Sequence, residues 1–216
     1  MKSLGFNMNM APVADVNTNP RNPVIGDRSF GSDPEAVGQM AVAMANGLMD
    51  AGVLPVLKHF PGHGDTHQDT HKGAVSLPHD RERLESVELV PFRQGVEAGL
   101  PVIMTAHLHV TAYDQDFPAT LSPILLTQLL RETLAFEGVI ITDALDMQAI
   151  TDQWTTGEAA VMALAAGADL LLMPPEPQVA RDAIVTAVTM GELPQERLDA
   201  AVERVLLLKW KAGLIN

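Results

Sequence analysis

Cysteine is absent from the 216 residues of this chain. Its absence excludes a disulfide framework and thiolate chemistry, and leaves the redox compartment open. Cations are scarce. Against 27 Asp and Glu stand 14 Lys and Arg, a formal net charge of −13. Nucleic-acid binding needs clustered cations that displace phosphate counterions, so no such partner is expected. No basic amphipathic stretch suits a membrane surface, and no run of 18 apolar residues could span one. The opening MKSLGFNMNMAPVADV has no long apolar core and no small-residue cleavage site, so it does not read as a signal peptide. The compartment stays open: cytoplasmic if this start is native, secreted if a leader stands upstream. Also missing are a glycine-rich phosphate turn after the first strand-like run, an HExxH pattern, an internal repeat and a linker.

What is present is an ordinary globular balance, with 47% hydrophobic and 19% charged residues. Short apolar runs alternate with longer helical patterns. The runs are FNMNMAP (6–12), VLPVLKHF (53–60), PVIMTAH (101–107), GVIITDA (138–144) and ADLLLMP (168–174). They lack polar alternation, which predicts parallel strands buried on both faces. Between them, Asp33 followed by Pro34 marks a helix start, and Gly52 its end. Further helical segments run from 81 to 99, 122 to 138, 158 to 167, 176 to 191 and 194 to 213. Five β–α repeats predict an α/β fold, either an open doubly wound sheet or part of a (β/α)8 TIM barrel. The missing phosphate turn favours the barrel. Five units cannot close eight strands, so the expectation is an incomplete barrel that lacks its first strands. Open edges and an uncovered apolar face would make such a piece prone to self-association.

Polar residues follow the strand runs: Asp15, then Lys58 and His59, then His107, then Asp143. In either α/β architecture the carboxyl ends of the strands converge on the site. The richest stretch is KHFPGHGDTHQDTHKG (58–73), with histidines at 59, 63, 67 and 71. Spacing of four places side chains on one helix face, as a zinc site would need. Pro61, Gly62 and Gly64 break any helix through the first of them, so the spacing loses that meaning. A polar surface loop accounts for His67, Gln68 and His63. It does not account for Lys58 and His59, which follow an apolar strand directly. In Asp69-Thr70-His71 a carboxylate two residues from a histidine can hold the ring, raise its pKa and prepare it for proton transfer. Asp143, on the lip of VIITDALDM, can serve as nucleophile, base or metal ligand. Asp146 reads as a residue at the start of the next helix.

NMNMAPVADV, NPVIGDRSFGSDP, LKHFPGHGDTHQDTHKG, IMTAHL and GVIITDALDM resemble, in the same order, segments of glycoside hydrolase family 3. The likeness is to the β-N-acetylglucosaminidase branch and covers essentially the whole chain. The resemblance implies a retaining β-N-acetylhexosaminidase acting on terminal β-linked N-acetylglucosamine, in cell-wall muropeptides or chitin-type glycosides, without a cofactor or metal. It implies that Asp143 is the nucleophile and forms a glycosyl-enzyme intermediate. His71, paired with Asp69, would be the acid/base, in place of the usual second carboxylate. A histidine that has given up its proton is neutral, whereas a carboxylate would repel an anionic acceptor. Lys58, His59 and Arg28 would bind sugar hydroxyls at the non-reducing end. Each has a structural alternative: Arg28 could clamp a loop carboxylate, and His59 could be a satisfied buried histidine.

By the same resemblance the chain is the later part of the family's N-terminal-type barrel domain, residues 1–216, with no second domain. Three rivals stay open: a β-glucosidase-like member, a metal-dependent hydrolase built on the histidines, and an inactive fragment. His63 and His67 are expected to matter least, with His63 as a loop brace. Trp154 is expected to pack rather than bind.

Overall fold

The computed structural model describes residues 1–216 apart from the side chain of His71. Its frame is a set of short parallel strands. β1 (Met8–Asn9) pairs with β2 (Leu54–Pro55). β3 (Leu57–Phe60), β5 (Val102–Thr105) and β7 (Val139–Ile141) form a second sheet in that order. Two isolated parallel bridges extend the frame, Val13 to Lys58 on one side and Ile141 to Leu170 on the other. Five strand positions thus follow one another in chain order and in one direction. This is the partial-barrel α/β arrangement that the five apolar runs predict.

The fifth run departs from expectation: 168–174 contributes one bridge rather than a strand. At 169–170 its backbone bonds Ile140 and Thr142, but beyond Leu170 the bonds go elsewhere. The Leu172 amide donates to the Thr142 hydroxyl at 2.9 Å, and the Leu172 carbonyl accepts from the Leu145 amide at 2.9 Å. Two strands were not expected at all. β4 (Val75–Leu77) and β6 (Leu108–Val110) pair in parallel beyond the ends of β3 and β5.

The helices fall where the periodicity places them. α1 (Pro34–Asp50) starts on Asp33, whose carboxylate accepts from the Ala36 amide at 2.8 Å. This cap satisfies one of the orphan donors of the first turn. The helix from 81 is interrupted. α2 (Arg81–Arg83) runs through a π-helical turn, Leu84–Glu88, into α3 (Val90–Glu97). A second π-helical stretch covers Ile124–Thr133. α4 (Gln148–Thr151) is short, and Asp146 precedes it exposed, without capping it. α5 (Thr156–Ala166) opens on a capping box between Thr155 and Glu158. α6 (Pro177–Thr189) and α7 (Gln195–Lys211) follow. Among the described residues no helix is long and apolar enough to cross a membrane.

The main core lies between strands and helices, and includes Leu57, Phe60, Phe92, Ile103, Leu125 and Ile140. Trp154 is half-buried and packs against it, as expected. Apolar side chains remain uncovered on α1, at Met40 and Met44, and along α7, at Val202, Leu206, Leu207 and Trp210.

At the amino ends of the strands a buried carboxylate ties the frame together. Asp169 accepts from the Ile140 amide at 2.9 Å and is paired by Arg131, Arg197 and Arg204. The guanidinium groups also donate to the carbonyls of Leu164, Ala168, Phe136, Gly138 and Ala200. Burial, eased by Asp169 but reinforced by the two other arginines, lowers the Arg131 pKa to about 10. Removing Asp169 leaves three partly buried cations facing one another. Asp169→Ala is expected to cost about 3–5 kcal/mol, measurable by urea unfolding. A loss within about 0.5 kcal/mol, the scale of an ordinary surface change, would show the cluster to be dispensable.

Candidate active site

A cavity of about 360 Å³ sits by the same amino ends, lined by Leu100, Pro101, Phe136, Gly138, Arg204 and Lys211. It holds none of the expected site residues. Of these, Asp143, Lys58 and His59 lie at the opposite side, near the carboxyl ends of β7 and β3.

Asp143 follows β7 and is half-buried. Its amide donates to the Thr105 hydroxyl at 3.3 Å, and its Oδ1 accepts from the Ala144 amide at 2.8 Å. Among the described residues nothing donates to Oδ2, so one carboxylate oxygen is available to a ligand. Beneath it lies a buried polar network. The hydroxyls of Thr105 and Thr120 are 2.7 Å apart, and His107 Nδ1 is 2.7 Å from Thr120 Oγ1. The Ala144 carbonyl can only accept, so His107 donates to it from Nε2, at 2.8 Å. His107 therefore holds the backbone that presents Asp143.

Lys58 and His59 lie within β3, just before its last residue, Phe60. The Lys58 side chain is partly buried. Burial lowers its pKa and the nearby Arg28 lowers it further, while Asp143 and Asp15 pull it back up. These mutual effects place Lys58, Arg28, Asp15 and Asp143 in one electrostatic neighbourhood. Arg28 is exposed, and its Nε and Nη2 donate to the Val24 carbonyl at 3.2 and 3.0 Å. Among the described residues no carboxylate pairs with it, so the clamp considered for it is not seen there. Its backbone lies in a 3-10 turn, Gly26–Arg28.

His59 is 6% exposed, and its Nδ1 lies 2.7 Å from Oδ2 of Asp15. It is thus a paired, buried histidine. Asp15 is fully buried and also accepts from the amides of His59 and His63. Burial pushes its pKa up, but the attraction and hydrogen bond of His59, with His63, outweigh this and hold it below 3.8. A depressed carboxylate stabilises the fold above its ordinary pKa, and that contribution fades as pH falls through the lower folded value. Acid should therefore loosen this corner as pH falls below the ordinary carboxylate value.

The histidine loop is tied down from beneath. Asn22 donates to the carbonyls of His63 and Gly64, and Asn19 to that of Thr66. Gly64 lies so close to Val16 that a Cβ there would meet its carbonyl oxygen at 1.9 Å, so no other residue fits. His63 is 2% exposed, with Nδ1 2.7 Å from Thr66 Oγ1 and Nε2 3.3 Å from Thr70 Oγ1. Burial lowers its pKa, against the pull of Asp15. It braces the loop, as expected. It also reaches Thr70, the residue between Asp69 and His71.

His67 is exposed and, among the described residues, meets Asn19 alone, at 3.0 Å. The side chain of His71 lies outside the described residues. Asp69 is half-buried, in the same loop. Among the described residues no three His, Asp or Glu side chains form a metal-ligand cluster. Asp15, Thr105 and Thr120 were not singled out as site residues from the sequence. Only Asp15 carried a signal, its place after the first strand.

Residues 1–208 match the model of the glycosyl hydrolase family 3 N terminal domain. The chain is 40% identical over 232 residues to beta-hexosaminidase A of Pseudoalteromonas piscicida, covering 98% of this chain and 39% of that protein. It is 42% identical over 216 residues to beta-hexosaminidase LpqI of Mycobacterium tuberculosis, covering 97% of this chain and 55% of that one. Among solved structures, a glycoside hydrolase family 3 beta-N-acetylglucosaminidase from Paenibacillus superposes with a TM-score of 0.97 at 44% identity. That match covers 99% of this chain and 41% of the other. The chain therefore spans about half, or less, of the length of these relatives.

Proposed function

The chain belongs to glycosyl hydrolase family 3, and from that premise we propose that it carries the catalytic face of a retaining β-N-acetylhexosaminidase. The substrate is a terminal β-linked N-acetylglucosamine, as in muropeptide or chitin-type glycosides. Asp143 attacks the anomeric carbon from one face and forms a glycosyl ester while the glycosidic bond breaks. His71, oriented by Asp69, gives its proton to the departing oxygen. It then takes a proton from the water that hydrolyses the ester. Lys58, His59 and Arg28 hold hydroxyls of the terminal sugar.

The observation that carries this reading is the placing of Asp143 just past β7 and of Lys58 and His59 near the carboxyl end of β3. There the half-buried Asp143 keeps one carboxylate oxygen to which no described residue donates. A nucleophile needs such an oxygen. A purely structural aspartate at a turn would spend both.

The test is hydrolysis of a chromogenic β-N-acetylglucosaminide beside the matching β-glucoside, each with and without a chelator. The N-acetyl substrate should be preferred and chelation should have no effect. Loss of activity with chelator would favour a metal-dependent hydrolase. Preference for the glucoside would move the protein to the β-glucosidase side of the family.

A further inference from the structure

One buried carboxylate in the site has no part in the proposed reaction. Asp15 stands in the loop after β1 and is fully buried. Its two oxygens are used differently. Oδ1 accepts two backbone N–H groups, from His59 at 3.2 Å and His63 at 2.7 Å. Oδ2 faces Nδ1 of His59 at 2.7 Å. Its depressed pKa keeps the group ionised near neutrality. An ionised carboxylate only accepts, so Nδ1 must carry a hydrogen. Nε2 is then the ring nitrogen left for a ligand. In a neutral ring it is an acceptor, and a hydroxyl can donate to it.

We propose that Asp15 is a positioning residue that holds His59 in the Nδ1–H tautomer, so that Nε2 accepts a hydrogen bond from a sugar hydroxyl. The same carboxylate fixes the two backbone points, 59 and 63, at the start of the histidine loop. Ring orientation and loop entry are thereby set by one group. The ligand half of this inference rests on the reading of His59 as a sugar-binding residue. The tautomer half does not.

Asp15→Asn separates positioning from mere support. Two N–H donors face Oδ1, so the amide oxygen takes that side. The amide NH2 is then turned toward Nδ1 of His59. A donor facing Nδ1 drives the ring hydrogen to Nε2. The shape of the site is kept, but the acceptor offered to the sugar becomes a donor.

Imidazole nitrogen-15 spectra of the whole protein at pH 8 should show His59 protonated on Nδ1 in the native chain and on Nε2 in Asp15→Asn. KM for the chromogenic glycoside should rise about tenfold, the scale of one misdirected hydrogen bond, with kcat changed less. His59→Ala should raise KM in the native background and add little on top of Asp15→Asn.

A native His59 protonated on Nε2 alone would overturn the proposal, and that spectrum decides even if Asp15→Asn fails to fold. A flipped tautomer with unchanged KM would overturn its ligand half. If the native protein turns over no glycoside, the proposed function fails, while the tautomer assignment still stands or falls on the spectrum.

Discussion

Asp143→Asn should abolish turnover, lowering kcat by about four orders of magnitude or more, as loss of a covalent nucleophile does elsewhere. The substitution keeps volume, and an asparagine Oδ1 can still accept from the Ala144 amide. The fold is therefore expected to survive, and KM to change little, because Asp143 acts on the anomeric carbon rather than on the hydroxyls that fix the sugar. Asp143→Ala serves as a second variant in which no amide can hydrolyse back to the acid. The complementary measurement uses the native protein. A 2-fluoro sugar inactivator should leave one covalent adduct, and peptide mass analysis should place it on the segment holding Asp143. Residual activity within about tenfold of native, a far smaller loss than any nucleophile shows, would remove Asp143 from that role. An adduct on another residue would name its replacement.

His71→Ala should lower kcat by about 10²–10⁴-fold on a substrate whose leaving group needs a proton, the range for loss of a general acid. With an activated nitrophenyl leaving group the first step needs no acid, so the loss there should be smaller. His67→Ala is the control. His67 is exposed and bonds Asn19, so its loss should leave kcat near native. Equal losses from His67→Ala and His71→Ala would count against a proton-transfer role for His71. His63→Ala should fall between them for a different reason. It deletes a buried ring and frees both Thr66 and Thr70, so stability drops together with activity. A thermal melt distinguishes it from His71→Ala, whose melting temperature should stay near native.

The histidine stretch shows how far a sequence can be read. Its even spacing carries no geometric meaning, since Pro61, Gly62 and Gly64 break the helix that would give it one. What the spacing hides is a division of labour set by burial. His59 and His63 are buried on Asp15, and His67 faces solvent. Nothing local distinguishes them. The partner that does so lies 44 to 48 residues earlier in the chain. Arg28 teaches the same lesson from the other side. A charge in a loop invites a carboxylate partner, yet its guanidinium settles on the Val24 carbonyl four residues away.

The residue order alone determined the α/β class, the succession of five parallel strand positions, the capped helix at Asp33 and the placing of Asp143, Lys58 and His59 at strand ends. Those features rest on hydrophobic period and on backbone caps, which act over a few residues and leave a mark in any window of the chain. Only the tertiary structure decided the shrinkage of the fifth strand to one bridge, the β4–β6 pair, the Asp169 cluster and the central place of Asp15. Each depends on which distant donor or acceptor reaches a buried polar group first. Because a buried polar group must find a partner wherever the fold brings one, local sequence does not name that partner.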